Sequence, residues 1–136
     1  MTANTNFRTA IEAINVIEAH LDTVLNKDCT VDVDKVDVNF TQSIQQEMGL
    51  IDDFFEENDF PVDIKFKFWI LSHIPEQIDE IIGVKVCFCQ KEEVYHDTDA
   101  TYVAENCGFL NDMIINRIYE LIQGLDELQK EMEGKA

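Results

Sequence analysis

Asp52, Asp53, Glu56, Glu57 and Asp59 crowd into eight positions, and no other stretch of the sequence is as chemically pointed. On a helix, Asp52 with Glu56 and Asp53 with Glu57 are like-charge pairs at i,i+4, each destabilising by roughly 0.2–0.5 kcal/mol. The run falls near the C-terminal end of its helix, where the macrodipole also disfavours negative charge. An arrangement that local physics opposes points to a functional reason. Carboxylates so placed suit the Arg and Lys side chains of a partner protein. The same run also has a plainer reading, as a solvated acidic face.

A second group is cationic. Lys65 and Lys67, with Lys85 and Lys91, are expected on the outward faces of two strands, with Trp69 and the Cys87/Cys89 pair beside them. Such a face can hold an anionic ligand, with Trp69 as a stacking plate. It can equally pair across strands with Asp32 and Asp37, each pair contributing a few tenths of a kcal/mol.

Other chemistry has weaker support. Cys87-Phe-Cys89 lacks a second ligand pair at zinc spacing, and Asp32, Asp34 and Asp37 lack the glycine and closing Glu of a calcium loop. No metal or cofactor site is therefore expected. No nucleophile-elbow, phosphate-loop, dinucleotide or zinc-protease motif occurs. His96 beside Asp97 and Asp99 fits capping of the last helix, with Thr98, better than it fits a catalytic base. Cys107 has no recognisable nucleophile context, and His20 fits a hydrogen-bonded position on the flank of a helix. The reading is of a binding protein, not an enzyme.

The composition bears on partners. Twenty-eight Asp and Glu against 10 Lys and Arg give a formal charge of −18 over 136 residues. That field opposes direct binding to nucleic acid or an anionic membrane and speeds encounter with a basic partner. The hydrophobic share, 46%, is that of a globular domain, and the length fits one domain over residues 1–136. The polar start and the lack of a spanning apolar run predict a cytoplasmic protein. The four cysteines, Cys29, Cys87, Cys89 and Cys107, lack the spacing of a secreted framework and are expected to be reduced.

Hydrophobic periodicity supplies the elements. Phe7, Ala10, Ile14, Ile17, Leu21 and Val24 predict a helix over residues 6–25, capped by Thr5 or Asn6. Residues 29–40 alternate with period two and predict one or two strands, with a phase shift at Asp34-Lys35. Ser43 and Gln46 suggest a capping box for a helix over residues 43–58, its stripe Ile44, Met48, Ile51 and Phe55, its end at Pro61. Residues 62–71 and 84–89 alternate as strands, separated by a short helix over 75–82 that Gly83 closes. Residues 90–98 read as a polar linker. A helix over 99–133 follows, with Ile118, Leu121, Leu125, Leu128 and Met132 as a heptad seam and with Gly108 and Gly124 as places where it could bend or split. The seam needs cover, from a homodimer or from the first helix. The sum is an α+β domain, a 3–4 stranded sheet packed against amphipathic helices with a long C-terminal helix.

In size and charge the chain resembles the small acidic phage-encoded inhibitors of host nucleases and restriction systems, whose carboxylates imitate duplex phosphates. That resemblance implies inhibition or sequestration of a basic nucleic-acid-handling protein, such as a nuclease or DNA-binding protein. In size, low isoelectric point, mixed α/β character and amphipathic C-terminal helix it also resembles small acidic chaperones of bacterial secretion systems. That alternative implies an apolar grip on an unfolded segment. A third alternative is a small ligand-binding or enzymatic domain using Lys65, Lys67, Lys85 and Trp69.

Overall fold

A computed structural model describes residues 2–89 and 100–135, with side chains described over 9–86 and 107–134. The order is α1 (Thr2–Thr23), a short 3-10 turn (Val33–Lys35), α2 (Val38–Glu57), α3 (Val62–Ser72), α4 (Ile74–Cys89) and α5 (Ala100–Lys135). The chain is a helical bundle. No strand or sheet occurs among the described residues, so the expected α+β fold with its 3–4 stranded sheet is overturned. No described helix is long and apolar enough to cross a membrane.

The first helix follows its stripe: Ala10, Ile14, Ile17 and Leu21 are buried. It packs along α2, while α5 lies against α1, α3 and α4. A deep polar tie joins α2 to α4, where the fully buried Thr41 hydroxyl donates to Asp79 Oδ1. The helix α1 begins at Thr2, upstream of its expected caps, Thr5 and Asn6.

Residues 24–37 form a pinned loop where a strand or hairpin was expected. Leu25 and Val31 meet in a single antiparallel bridge. Asp32 N–H donates to Val24 O at 2.7 Å and Asn26 N–H to Thr30 O at 2.8 Å. Asp28 Oδ1 takes the Thr30 hydroxyl at 2.6 Å and its N–H at 3.1 Å, and these bonds hold the Asp28 carboxyl below its ordinary pKa. Val31 and Val36 are buried as separate plugs in the bundle wall. Alternation here records two inward residues of a loop and a turn, not a ladder.

Helix α2 starts five residues earlier than the capping-box reading. Its N-cap is Asp37, whose Oδ1 accepts from Phe40 N–H at 2.8 Å. Ser43 instead sits inside the helix, its hydroxyl donating to Asn39 O at 3.0 Å. At the far end Asn58 closes α2 through Phe54 O. Pro61, expected as a stop, is the residue from which α3 begins, in keeping with proline's fixed φ at helix starts. Phe54, Phe55, Phe60 and Phe68 fill the corner between α2 and α3, with ring centroids 5.3–5.6 Å apart.

The expected strand over 62–71 is helix α3. Val62, Ile64, Phe66, Phe68 and Ile70 satisfy a period of two, but Ile64, Phe68 and Leu71 also satisfy steps of four and three. A short run so rich in apolar residues fits both templates. The bundle selects the second: Ile64, Phe68 and Leu71 are buried, while Val62 is 81% exposed. The short helix and the strand expected after Gly83 merge into α4: Ile74, Ile78 and Ile81 are its buried stripe, and Val84 and Val86, expected on one strand face, are exposed on its continuation.

The long C-terminal helix matches its expected span closely. Ile118, Leu121, Leu125, Leu128 and Met132 are all fully buried within one chain, so the seam gains its cover without a second copy. Neither Gly108 nor Gly124 breaks the helix. At Gly124 the missing side chain lets α5 approach Leu71 of α3.

Candidate functional site

The acidic run occupies the exposed side of the last two turns of α2. Asp52, Asp53 and Glu56 bring their carboxylates within 4.8 Å of one another. None of them makes an ion pair with a described residue. Glu57 is also exposed on α2, and Asp59 follows in the link to α3. Helical rise places Asp53 and Glu56 one turn apart and Asp52 beside them, so the crowding follows directly from sequence spacing.

This cluster edges an apolar groove. Asp52, Phe55 and Glu56 of α2 face Val62, Lys65, Phe66 and Trp69 of α3 across an opening of about 510 Å³. The Phe54–Phe55–Phe60–Phe68 corner sets the angle between the two walls. A second opening of about 270 Å³ includes Asp52, Phe68 and Ser72 again and carries the groove on to Gln45, Met48 and Gly49.

The α3 wall is apolar on two opposite sides. Ile64, Phe68 and Leu71 point into the core, whereas Val62, Phe66 and Trp69 form an outward stripe at steps of four and three. Positions two residues apart on a helix differ by about 200°, so these stripes lie back to back. Phe66 is 57% and Trp69 56% exposed. Their rings stack at 5.9 Å and 18°. His73 closes the row, its ring 4.4 Å from that of Trp69 and its Nδ1 2.6 Å from Trp69 O. Of the two apolar stripes of α3, one is buried and the other stays open.

The expected cationic face disperses once its strands become helices. Lys65 and Trp69, four apart, remain together in the groove. Lys67 turns away to α5, pairing with Glu131 at 3.1 Å and Glu127 at 3.7 Å. The hydrogen bond to Glu131, followed by the charges of both glutamates, holds the Lys67 ammonium above its ordinary pKa. Lys85 lies on α4, half-buried. Asp32 pairs with Lys35 at 3.9 Å and Asp37 caps α2, so neither crosses to the lysines of α3. Lys91, His96, Asp97, Thr98 and Asp99 lie outside the described residues, as do the side chains of Cys87 and Cys89.

The thiol expectation is corrected at one position. Cys107 is disulfide-bonded, while Cys29 is free and exposed. A disulfide needs only β-carbons about 3.8 Å apart, a relation that packing sets and linear spacing does not reveal.

A second acidic concentration lines a cleft of about 290 Å³ between α1 and α5, with Glu18 and Asp22 facing Asp126 beside Leu21 and Ile122. Burial, then the charges of Asp126 and Asp22, push the Glu18 carboxyl above its ordinary pKa.

No protein-family model, curated protein or solved structure matches this chain. The functional reading therefore rests on the geometry of the groove and its acidic edge.

Missing from the sequence reading were Val62 and Phe66 as surface groups, and Phe55, Ser72 and Gly49 as lining. The signal was present: placed on a helical wheel, residues 62–71 show two apolar stripes instead of one.

Proposed function

We propose that the protein is an acidic binding protein that captures a basic partner in the α2–α3 groove. The observation that carries this reading is the unneutralised trio Asp52, Asp53 and Glu56 on the edge of a groove whose other wall is the open Val62–Phe66–Trp69 stripe. Three close carboxylates attract Lys and Arg, and the exposed face of Trp69 offers a cation a π surface worth about 0.5–1 kcal/mol. The apolar stripe adds burial at roughly 25 cal/mol per Å².

The partner in this reading is a basic nucleic-acid-handling protein, a nuclease or DNA-binding protein, which the acids inhibit or sequester by standing where phosphates stand. A duplex carries one charge per roughly 1.7 Å of axis, and the net charge of −18 supplies the long-range part of the attraction. The role is binding, with no catalytic step assigned. A cytoplasmic location belongs to the proposal; the bonded Cys107 weighs against a strongly reducing compartment.

The test is capture of partners from native cell extract at about 0.1 M and about 1 M salt, where exposed charges are screened beyond roughly 10 Å and 3 Å. The reading expects a basic partner retained at low salt, released at high salt, and lost with Asp52→Asn, Asp53→Asn and Glu56→Gln combined. Unchanged capture by that triple variant sinks it.

A second reading draws on the exposure of Val62, Phe66, Trp69 and Ile70. A chaperone or adaptor grips apolar segments of its client on such a surface. A partner that survives high salt and is lost with Phe66→Ser favours that alternative.

A further inference from the structure

Resting on the groove as the docking site, we infer that its occupant is an amphipathic α-helix of the partner, with large apolar side chains toward α3 and Lys or Arg along the edge facing α2. Three observations select this occupant.

The two openings share Asp52, Phe68 and Ser72 and follow one side of α2. From Gln45 to Glu56 the α2 wall spans about three turns, roughly 16 Å at 1.5 Å per residue. Gly49 keeps one end open: a β-carbon there would meet no atom within 4 Å.

Both walls are helices, and helices satisfy their own backbone groups. An extended segment laid between them would find no ladder partner for its N–H and C=O groups. A helix brings its backbone bonds with it and presents only side chains. The outward row Val62, Phe66, Trp69 steps by four and three, a ridge spacing that another helix's grooves accept.

The charge then settles the sign. Asp52, Asp53 and Glu56 carry no ion-pair partner among the described residues, so they call for cations on the incoming edge. Lys65 stands on the opposite wall and makes the groove asymmetric, disfavouring a helix with cations on both edges. A second copy of this chain, also at −18, would meet like charge.

The probe is a synthetic helical peptide of about 14 residues, Leu and Phe on one face and Lys on one edge, without Trp. Its control is a scrambled isomer of equal composition and no apolar face. Trp69 is the single tryptophan, so its emission reads the groove directly, and calorimetry gives the affinity. The expected result is a blue shift with the amphipathic peptide, affinity at least tenfold above the scrambled isomer, and a rise in peptide helicity on binding. Gly49→Leu should weaken binding at least tenfold while leaving the melting temperature unchanged or higher.

Equal binding of the two peptides, or full binding by Gly49→Leu, overturns the helical occupant. In either case, loss of partner capture on neutralising Asp52, Asp53 and Glu56 leaves the proposed function standing. If that neutralised variant captures its partner undiminished, the broader reading falls instead.

Discussion

Leu71 of α3 occupies the space where a side chain at Gly124 of α5 would begin, its Cγ only 3.2 Å from the position of that absent β-carbon. Helix propensity alone favours Ala over Gly by about 1 kcal/mol, yet here the neighbour is a buried branched side chain in a packed seam. Overpacking of this kind costs about 1–3 kcal/mol. Gly124→Ala should therefore lower stability in urea unfolding. Combined with Leu71→Ala, its cost should shrink, because the smaller residue vacates the space.

Gly49 gives the opposite expectation. It lies in the middle of α2 with open space where a β-carbon would go. Gly49→Ala should stabilise the protein by about 0.4–1 kcal/mol through the unfolded chain. A drop in the denaturation midpoint would show that the backbone at this position needs glycine.

The acidic cluster should cost stability where it supports binding. Relieving the Asp52–Glu56 repulsion with Asp52→Asn and Glu56→Gln should add about 0.2–0.5 kcal/mol at low salt, with a further gain from removing charge near the C-terminal end of α2. Added salt should erase the difference between variant and parent. Thermal melts at low and high ionic strength check both points.

Glu18 supplies a pH test. Its carboxyl is held above the ordinary value of 4.5 by burial and by Asp126 and Asp22. The folded protein thus binds this proton more tightly than the unfolded chain does. The resulting stabilisation is full below 4.5 and is lost as pH rises through the raised folded pKa; above it, the ionised group opposes folding. Glu18→Gln should raise the melting temperature at neutral pH and change it little near about pH 4. An equal gain at both values would mean that packing, not charge, separates the two side chains.

Long periodic elements were legible in the sequence. Ile14, Ile17 and Leu21 placed α1, and Ile118 to Met132 placed α5, because a stripe sustained over several turns fits only one period. The stretches of about ten residues were not. At 62–71 almost every second residue is apolar, and so are Ile64, Phe68 and Leu71; only the packing against α5 chooses between the templates. At 29–40 the alternating valines were real but belonged to a loop, since Val31 and Val36 reach the core without a partner strand. Asp52, Asp53 and Glu56 were readable as a cluster because a helix fixes their spacing. Their apolar neighbour was not, because a groove between α2 and α3 is a property of two elements and of the angle that Phe54, Phe55, Phe60 and Phe68 set.

The placement of α5 against α1 also governs how the chain comes together in time. The α1–α2 pair is local in sequence and can form early, but Leu21 borders Ile122 across most of the chain's length. Contacts so distant in sequence are slow to close. A growing chain leaving the ribosome would hold the side of α1 that α5 covers open until the last helix emerged. Over that interval the excess of negative charge, unfavourable to the finished bundle, keeps half-made chains apart and so guards them against aggregation.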